Sequence, residues 1–222
     1  MGRTLGIVTI GQAPRDDIAD LFAAHAPAGT KVILRGALDG LSDSEVDKLQ
    51  PENGGDTLYT RLRGGRDAKI SKKAVIARSP AALAKLRGDG CDVLVYACTG
   101  AFPPLPGDEN VLFPSRVLNG LAIGLLPRGR LGLLIPLAEQ GEKLTKWARP
   151  GLDVVAEALA PSAGQGEAAA AAERLAAKKP DLVAMDCMSY TPTTKDWIKG
   201  PLGVPALLAI TATGRVLREM LD

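Results

Sequence analysis

Two segments of the 222-residue chain share one plan, and that plan restricts what the chain can fold into. Asp92-Val93-Leu94-Val95-Tyr96-Ala97 runs into Cys98, and Asp181-Leu182-Val183-Ala184-Met185-Asp186 runs into Cys187. In each, an aspartate opens an apolar run, a cysteine closes it, and small residues and a proline follow (Pro103, Pro192). Short apolar runs bounded by turn residues predict buried parallel strands. Each thiol then stands where a strand ends, and open α/β sheets bind their ligands there.

The remaining segments keep the same rhythm. Strands are expected over residues 5–10, 31–34, 131–135, 152–159 and 205–208, besides the two that end in cysteine. Helices are expected from about Arg15, from the capping box Ser42-Asp43-Ser44-Glu45 through Leu49, and from Ser79-Pro80. Further helices are expected over 115–126, 139–147, 167–178 and 194–199, with a last one ending at Leu221. One stretch departs from the βα alternation. Residues 56–62 and 68–71 flank Arg63-Gly64-Gly65-Arg66-Asp67, a hairpin signal with glycine in the turn. The chain divides near Arg128-Gly129-Arg130, and Leu131-Gly132-Leu133 repeats the style of Leu5-Gly6-Ile7. The expected fold is α/β. A first lobe (1–128) carries the hairpin at about 56–71, a second lobe spans 129–222, and a cleft lies between them. The final helix is expected to pack back on the first lobe.

Composition narrows the chemistry. A net charge of +2 with no basic block argues against nucleic acid, and no apolar stretch approaches a membrane span. Met1-Gly2-Arg3-Thr4 lacks a leader or lipidation pattern, so a cytoplasmic location is expected, with the three cysteines as thiols. The single histidine, His25, sits among Ile18, Leu21 and Phe22 in helical spacing and reads as structural. That disfavours Ser-His and Cys-His hydrolases, and no short Cys/His spacing suggests zinc. No metal and no cofactor are expected.

Two thiols facing one another across a cleft suit proton transfer at a carbon next to a carboxylate. One removes the proton and the other delivers one to the opposite face, and nearby cations or N–H groups tune a thiol toward neutrality. If both reach one carbon, the sulfurs stand about 6 to 8 Å apart. Donors for the developing charge are expected from the turns Cys98-Thr99-Gly100 and Cys187-Met188-Ser189, with the hydroxyls of Thr99, Ser189 and Thr191. Gly11, Gln12 and Arg15 follow the first strand, Arg15 as a possible carboxylate clamp. Glu139 and Gln140 hold the matching position in the second half, and Tyr190 lies beside the second thiol. Asp186 points away from Cys187 by strand alternation. Arg61 and Arg63 on the hairpin read as solvent-exposed, and Cys91 has no assigned role.

Several segments together carry a resemblance: Thr9-Ile10-Gly11-Gln12-Ala13-Pro14-Arg15, Gly36-Ala37-Leu38-Asp39-Gly40-Leu41, Thr60-Arg61-Leu62, Cys98-Thr99-Gly100-Ala101-Phe102-Pro103 and Asp186-Cys187. With them the chain resembles the AroM family, within the aspartate/glutamate racemase superfamily. The resemblance implies two pseudo-symmetric, flavodoxin-like lobes and cofactor-independent racemase, epimerase, isomerase or decarboxylase chemistry. The superfamily's glutamate and aspartate racemases have Asn-Thr and Thr-His after their two cysteines, where this chain has Thr99-Gly100 and Met188-Ser189. Their amino-group contacts therefore do not carry over. The expected function is an isomerase that acts on a small carboxylate through Cys98 and Cys187. The alternatives are a one-cysteine decarboxylase, lyase or cis-trans isomerase on the same fold, or a carboxylate-binding protein without catalysis. The hairpin offers an edge that a second copy could cover, so a homodimer is expected.

Overall fold

The structure, a computed structural model, describes residues 3–140 and 144–222. Among the described residues, ten strands and seven α-helices follow one another in the expected βα rhythm. In the first half these are β1 (Thr4–Thr9), α1 (Asp16–His25), β2 (Lys31–Gly36), α2 (Asp43–Val46), β3 (Thr57–Arg61), β4 (Asp67–Ser71), α3 (Lys72–Gly88), β5 (Val93–Ala97), β6 (Val111–Leu112) and α4 (Pro114–Leu125). The second half comprises β7 (Gly129–Ile135), β8 (Leu152–Ala158), α5 (Gln165–Ala176), β9 (Leu182–Met185), α6 (Pro192–Leu202), β10 (Ala206–Leu208) and α7 (Ala209–Leu221).

The strands form two parallel four-stranded sheets, β2-β1-β5-β6 and β10-β9-β7-β8. Read from its other edge, the second order is β8-β7-β9-β10. β7 therefore plays the part of β1, and β9 the part of β5. The pseudo-symmetry puts Cys98 and Cys187 just past equivalent strands. β3 and β4 pair antiparallel as a separate hairpin, Thr57 opposite Ser71 and Arg61 opposite Asp67.

Side-chain alternation divides the first sheet's burial between two faces. Leu5, Ile7, Val95 and Ala97 join a core that continues through Leu131, Leu133, Val183 and Met185 of the second sheet. Val8, Leu94 and Tyr96 point the other way, into a cluster with Leu58 and Ile70 of the hairpin and Val75 and Leu83 of α3. Helix α7 packs against α1 and α4 of the first half. Its Gly214 lies against His25, where a Cβ would meet the ring at 2.7 Å. The His25 Nδ1 is 2.8 Å from the Leu21 carbonyl, a structural placement within α1.

Two expected helices differ in the structure, and one strand is additional. The helix expected from Ser79-Pro80 starts at Lys72, because the Ser71 hydroxyl accepts from the Ala74 N–H and caps it directly at the end of β4. Pro80 lies inside that helix. The short strand β6 has too few residues to show a period, and it was not foreseen. The helix expected over 139–147 falls partly on 141–143, outside the described residues. Among the described flanks only a 3₁₀ turn, Thr145–Trp147, is helical.

Candidate functional site

The C-terminal ends of the two central strands and their Cys-bearing neighbours converge. Thr9 and Ile10 at the end of β1, Ala97, Cys98 and Thr99 after β5, Pro136 after β7, and Cys187, Met188 and Ser189 after β9 line one cavity. Arg15, Ile18, Gln140 and the hairpin residues Leu58, Tyr59 and Thr60 complete its wall. Both thiols are buried, Cys98 at 8% and Cys187 at 6% exposure. The cavity measures about 20 Å³, room for roughly one water. A larger one of about 250 Å³ shares Leu58 and Gln140 with it and is lined further by Gly100, Lys72 and Lys146.

The turn after β5 shapes the first thiol's surroundings. The Gly100 N–H donates to the Cys98 sulfur at 3.3 Å, a contact that favours the thiolate. A Cβ on Gly100 would lie 3.4 Å from that sulfur, 3.2 Å from Leu58 and 3.0 Å from Phe102, so a bare backbone suits this position. The Thr99 hydroxyl donates across to the Asp186 carbonyl at 3.0 Å and joins the two Cys turns.

Beneath that joint lies an ionic network which sequence reasoning missed. Asp186 is fully buried and, as strand alternation requires, does not line the thiol cavity. Its carboxylate pairs with Lys146 Nζ at 2.8 Å and accepts from Trp147 Nε1 at 3.3 Å. Lys146 Nζ also donates to the Thr99 carbonyl at 2.6 Å. One ammonium therefore neutralises a buried acid and holds the first Cys turn. Lys146 comes after β7 in the chain, and nothing in its local sequence marks it.

Arg15 is 4% exposed. It donates to both Asp17 oxygens at 2.8 Å, to the Arg61 carbonyl at 3.2 Å and to the Ser189 hydroxyl at 3.2 Å. Burial pushes the Asp17 carboxyl up. The hydrogen bonds and charge of Arg15, with Arg61 behind it, outweigh that and hold Asp17 below the usual carboxylate range. The hairpin is drawn into the site by the same residues. Gly11 lets it approach, since a Cβ there would stand 2.5 Å from the Thr60 hydroxyl. Tyr59 donates to Asp67 at 2.6 Å; burial and that carboxylate keep its phenol protonated far above neutral pH.

Of the residues singled out from sequence, Cys98, Cys187, Arg15, Thr99, Gln140, Met188 and Ser189 come together around the thiol cavity. Gly100 lines the adjoining one. The others lie outside both linings. Gly11 supports the hairpin, and Gln12 is buried with its amide donating to the Leu41 carbonyl at 2.8 Å. Glu139 pairs with Lys69 on the hairpin, its side chain 40% exposed. Tyr190 is wholly buried and donates to the Leu159 carbonyl at 2.6 Å, a packing role. Thr191 caps α6 through the Thr194 N–H. Arg61 and Arg63 are tied to Asp67 and to the Ala13 carbonyl. Thr60 was noticed only as part of a family segment; its position over the cavity depends on how the hairpin folds back.

Among the described residues no cluster of three or more His, Cys, Asp or Glu side chains could hold a metal ion. Among the described residues no helix is long and apolar enough to cross a membrane.

Paired parallel α/β sheets with a cavity at their facing strand ends define the structural class, and solved structures share it. Arylmalonate decarboxylase superposes with a TM-score of 0.62 at 16% identity, covering 98% of this chain and 92% of that one. The glutamate racemase from Aquifex pyrophilus gives 0.60 at 19% identity, covering 99% and 84%. The maleate isomerase Iso from Pseudomonas putida S16 gives 0.65 at 12% identity, covering 100% and 94%. At these identities the likeness establishes the fold. None of the curated proteins matches the chain in sequence. The AroM protein family profile matches residues 5–221, and the chain belongs to the AroM family.

Proposed function

We propose that the protein is a cofactor-independent isomerase, a racemase or epimerase, that moves a proton at the carbon beside a small substrate's carboxylate, with Cys98 and Cys187 as paired acid and base. The observation that carries this reading is that both thiols, from equivalent strand ends of two pseudo-symmetric sheets, line one cavity. One thiolate takes the proton from one face and the opposing thiol gives a proton to the other, and the reverse reaction exchanges the roles. The Gly100 N–H beside the Cys98 sulfur supports the charged form there. The Ser189 hydroxyl lines the same cavity and is suited to donate to the substrate carboxylate, backed by the Arg15 charge that it meets at 3.2 Å.

Names borne by structures of this fold, a racemase, an isomerase and a decarboxylase, are compatible with chemistry on small acids. The thiol cavity adjoins the one of about 250 Å³ through Leu58 and Gln140, which offers room for a small acid beside the thiols. The test is incubation in D₂O with a panel of hydroxy and amino acids, with the α-proton followed by NMR. Exchange with inversion supports the reading. Carbon dioxide release or alkene isomerisation without inversion favours the one-thiol alternatives, and binding without turnover favours a carboxylate-binding protein.

A further inference from the structure

Three buried side-chain atoms among the described residues lack a hydrogen-bond partner, and two of them belong to residues lining the thiol cavity. They are the Thr60 hydroxyl and the Gln140 side-chain carbonyl, each on a residue 2% exposed. Buried polar atoms are seldom left unpaired, because the lost hydration is not returned. The Gln140 orientation follows from its other end: Nε2 donates to the Thr57 carbonyl at 3.0 Å. The flipped amide would set two carbonyl oxygens against each other, so Oε1 is the atom left over. The Thr60 hydroxyl is held above Gly11, the closest approach a residue without Cβ allows.

We propose that this cavity recognises a 2-hydroxy carboxylate in preference to its 2-amino counterpart, with Thr60 and Gln140 binding the substrate hydroxyl. The proposal rests on reading the thiol cavity as the substrate site. Gln140 Oε1 can only accept, whereas the Thr60 hydroxyl donates or accepts. One ligand hydroxyl that donates to Gln140 and accepts from Thr60 satisfies both atoms. An ammonium can donate to both atoms, but it has no lone pair to take the Thr60 proton, and it brings a positive charge. No Asp or Glu lines either cavity among the described residues, while Arg15, Lys72 and Lys146 do. Among the described residues the anion an ammonium would meet there is the thiolate that serves as base, and pairing with it would quench that base, a penalty a neutral hydroxyl avoids. Selectivity then comes from sparing the thiolate as much as from the hydrogen bonds.

Calorimetric titration of the whole protein with matched acids tests this: lactate, alanine and propionate; malate, aspartate and succinate; 2-hydroxyglutarate, glutamate and glutarate. In at least one set the hydroxy acid should bind about tenfold more tightly than its amino and deoxy partners. Thr60→Val, of nearly equal volume, should weaken the hydroxy acid by about threefold to tenfold and leave the deoxy acid unchanged. Gln140→Glu supplies a carboxylate for the ammonium and should shift the preference toward the amino acid. Equal or tighter binding of the amino acids, no binding by any hydroxy acid, or equal losses for hydroxy and deoxy acids in Thr60→Val would overturn the proposal. The two readings fail separately. Selective binding of a hydroxy acid without α-proton exchange sinks the isomerase reading alone, whereas exchange confined to amino acids sinks the hydroxyl recognition alone.

Discussion

The Arg15 guanidinium, from the loop after the first strand, donates to the Ser189 hydroxyl beside the second thiol at 3.2 Å, with 4% of its surface exposed. Three directions of this planar fork are used at once: Asp17, the Arg61 carbonyl and Ser189. Lysine cannot reproduce that geometry. Arg15→Lys should therefore cost about 1–3 kcal/mol, the range for losing hydrogen bonds to a buried charge. Urea denaturation measures it, and substrate affinity should fall in the same variant.

The same cluster should be acid-labile. The folded carboxyl of Asp17 lies below its ordinary value, so its contribution is fully present above about pH 4 and is lost as pH falls through the folded value. Urea midpoints of the wild type should drop on acidification below about pH 4. Asp17→Asn, which cannot titrate, should be less stable at neutral pH and should show a shallower drop.

Lys146 and Asp186 form the buried pair beneath both Cys turns, at 2.8 Å. Lys146→Met takes the ammonium from a fully buried carboxylate, which keeps the Trp147 N–H, and should cost about 3–5 kcal/mol. Replacing both partners with apolar residues should recover much of that stability. It should not restore activity, because Thr99 would still have lost the ammonium that holds its carbonyl.

Gly11→Ala would drive a methyl into the Thr60 hydroxyl, 2.5 Å from the ideal Cβ position. Overpacking of this kind costs about 1–3 kcal/mol. The hairpin should lift from the cleft, which hydrogen exchange of the Thr57–Arg61 amides would register as faster exchange than in the wild type.

Much of this molecule could be read from its residues. Period, glycine and capping signals marked the hairpin and nearly every strand, because each is set locally. The repeated Asp-apolar-Cys plan brought out the equivalence of β5 and β9, which the strand order bears out. What stayed hidden is set by long-range packing. Lys146 meets Asp186 from 40 positions away, and Thr60 reaches the cavity only because the hairpin folds over Gly11. Tyr190 and Glu139 show the converse. Both are near the site in sequence, yet one is consumed by the core and the other by Lys69 on the hairpin.

If Cys98 and Cys187 are the two acid–base groups, inversion of configuration requires both. The most direct measurement is racemisation of a turned-over acid by Cys98→Ser and Cys187→Ser, each started from either enantiomer and followed by chiral chromatography. Loss of inversion in both variants, with ligand binding retained, is the predicted result. Inversion that persists at the wild-type rate in either one would contradict the two-thiol mechanism.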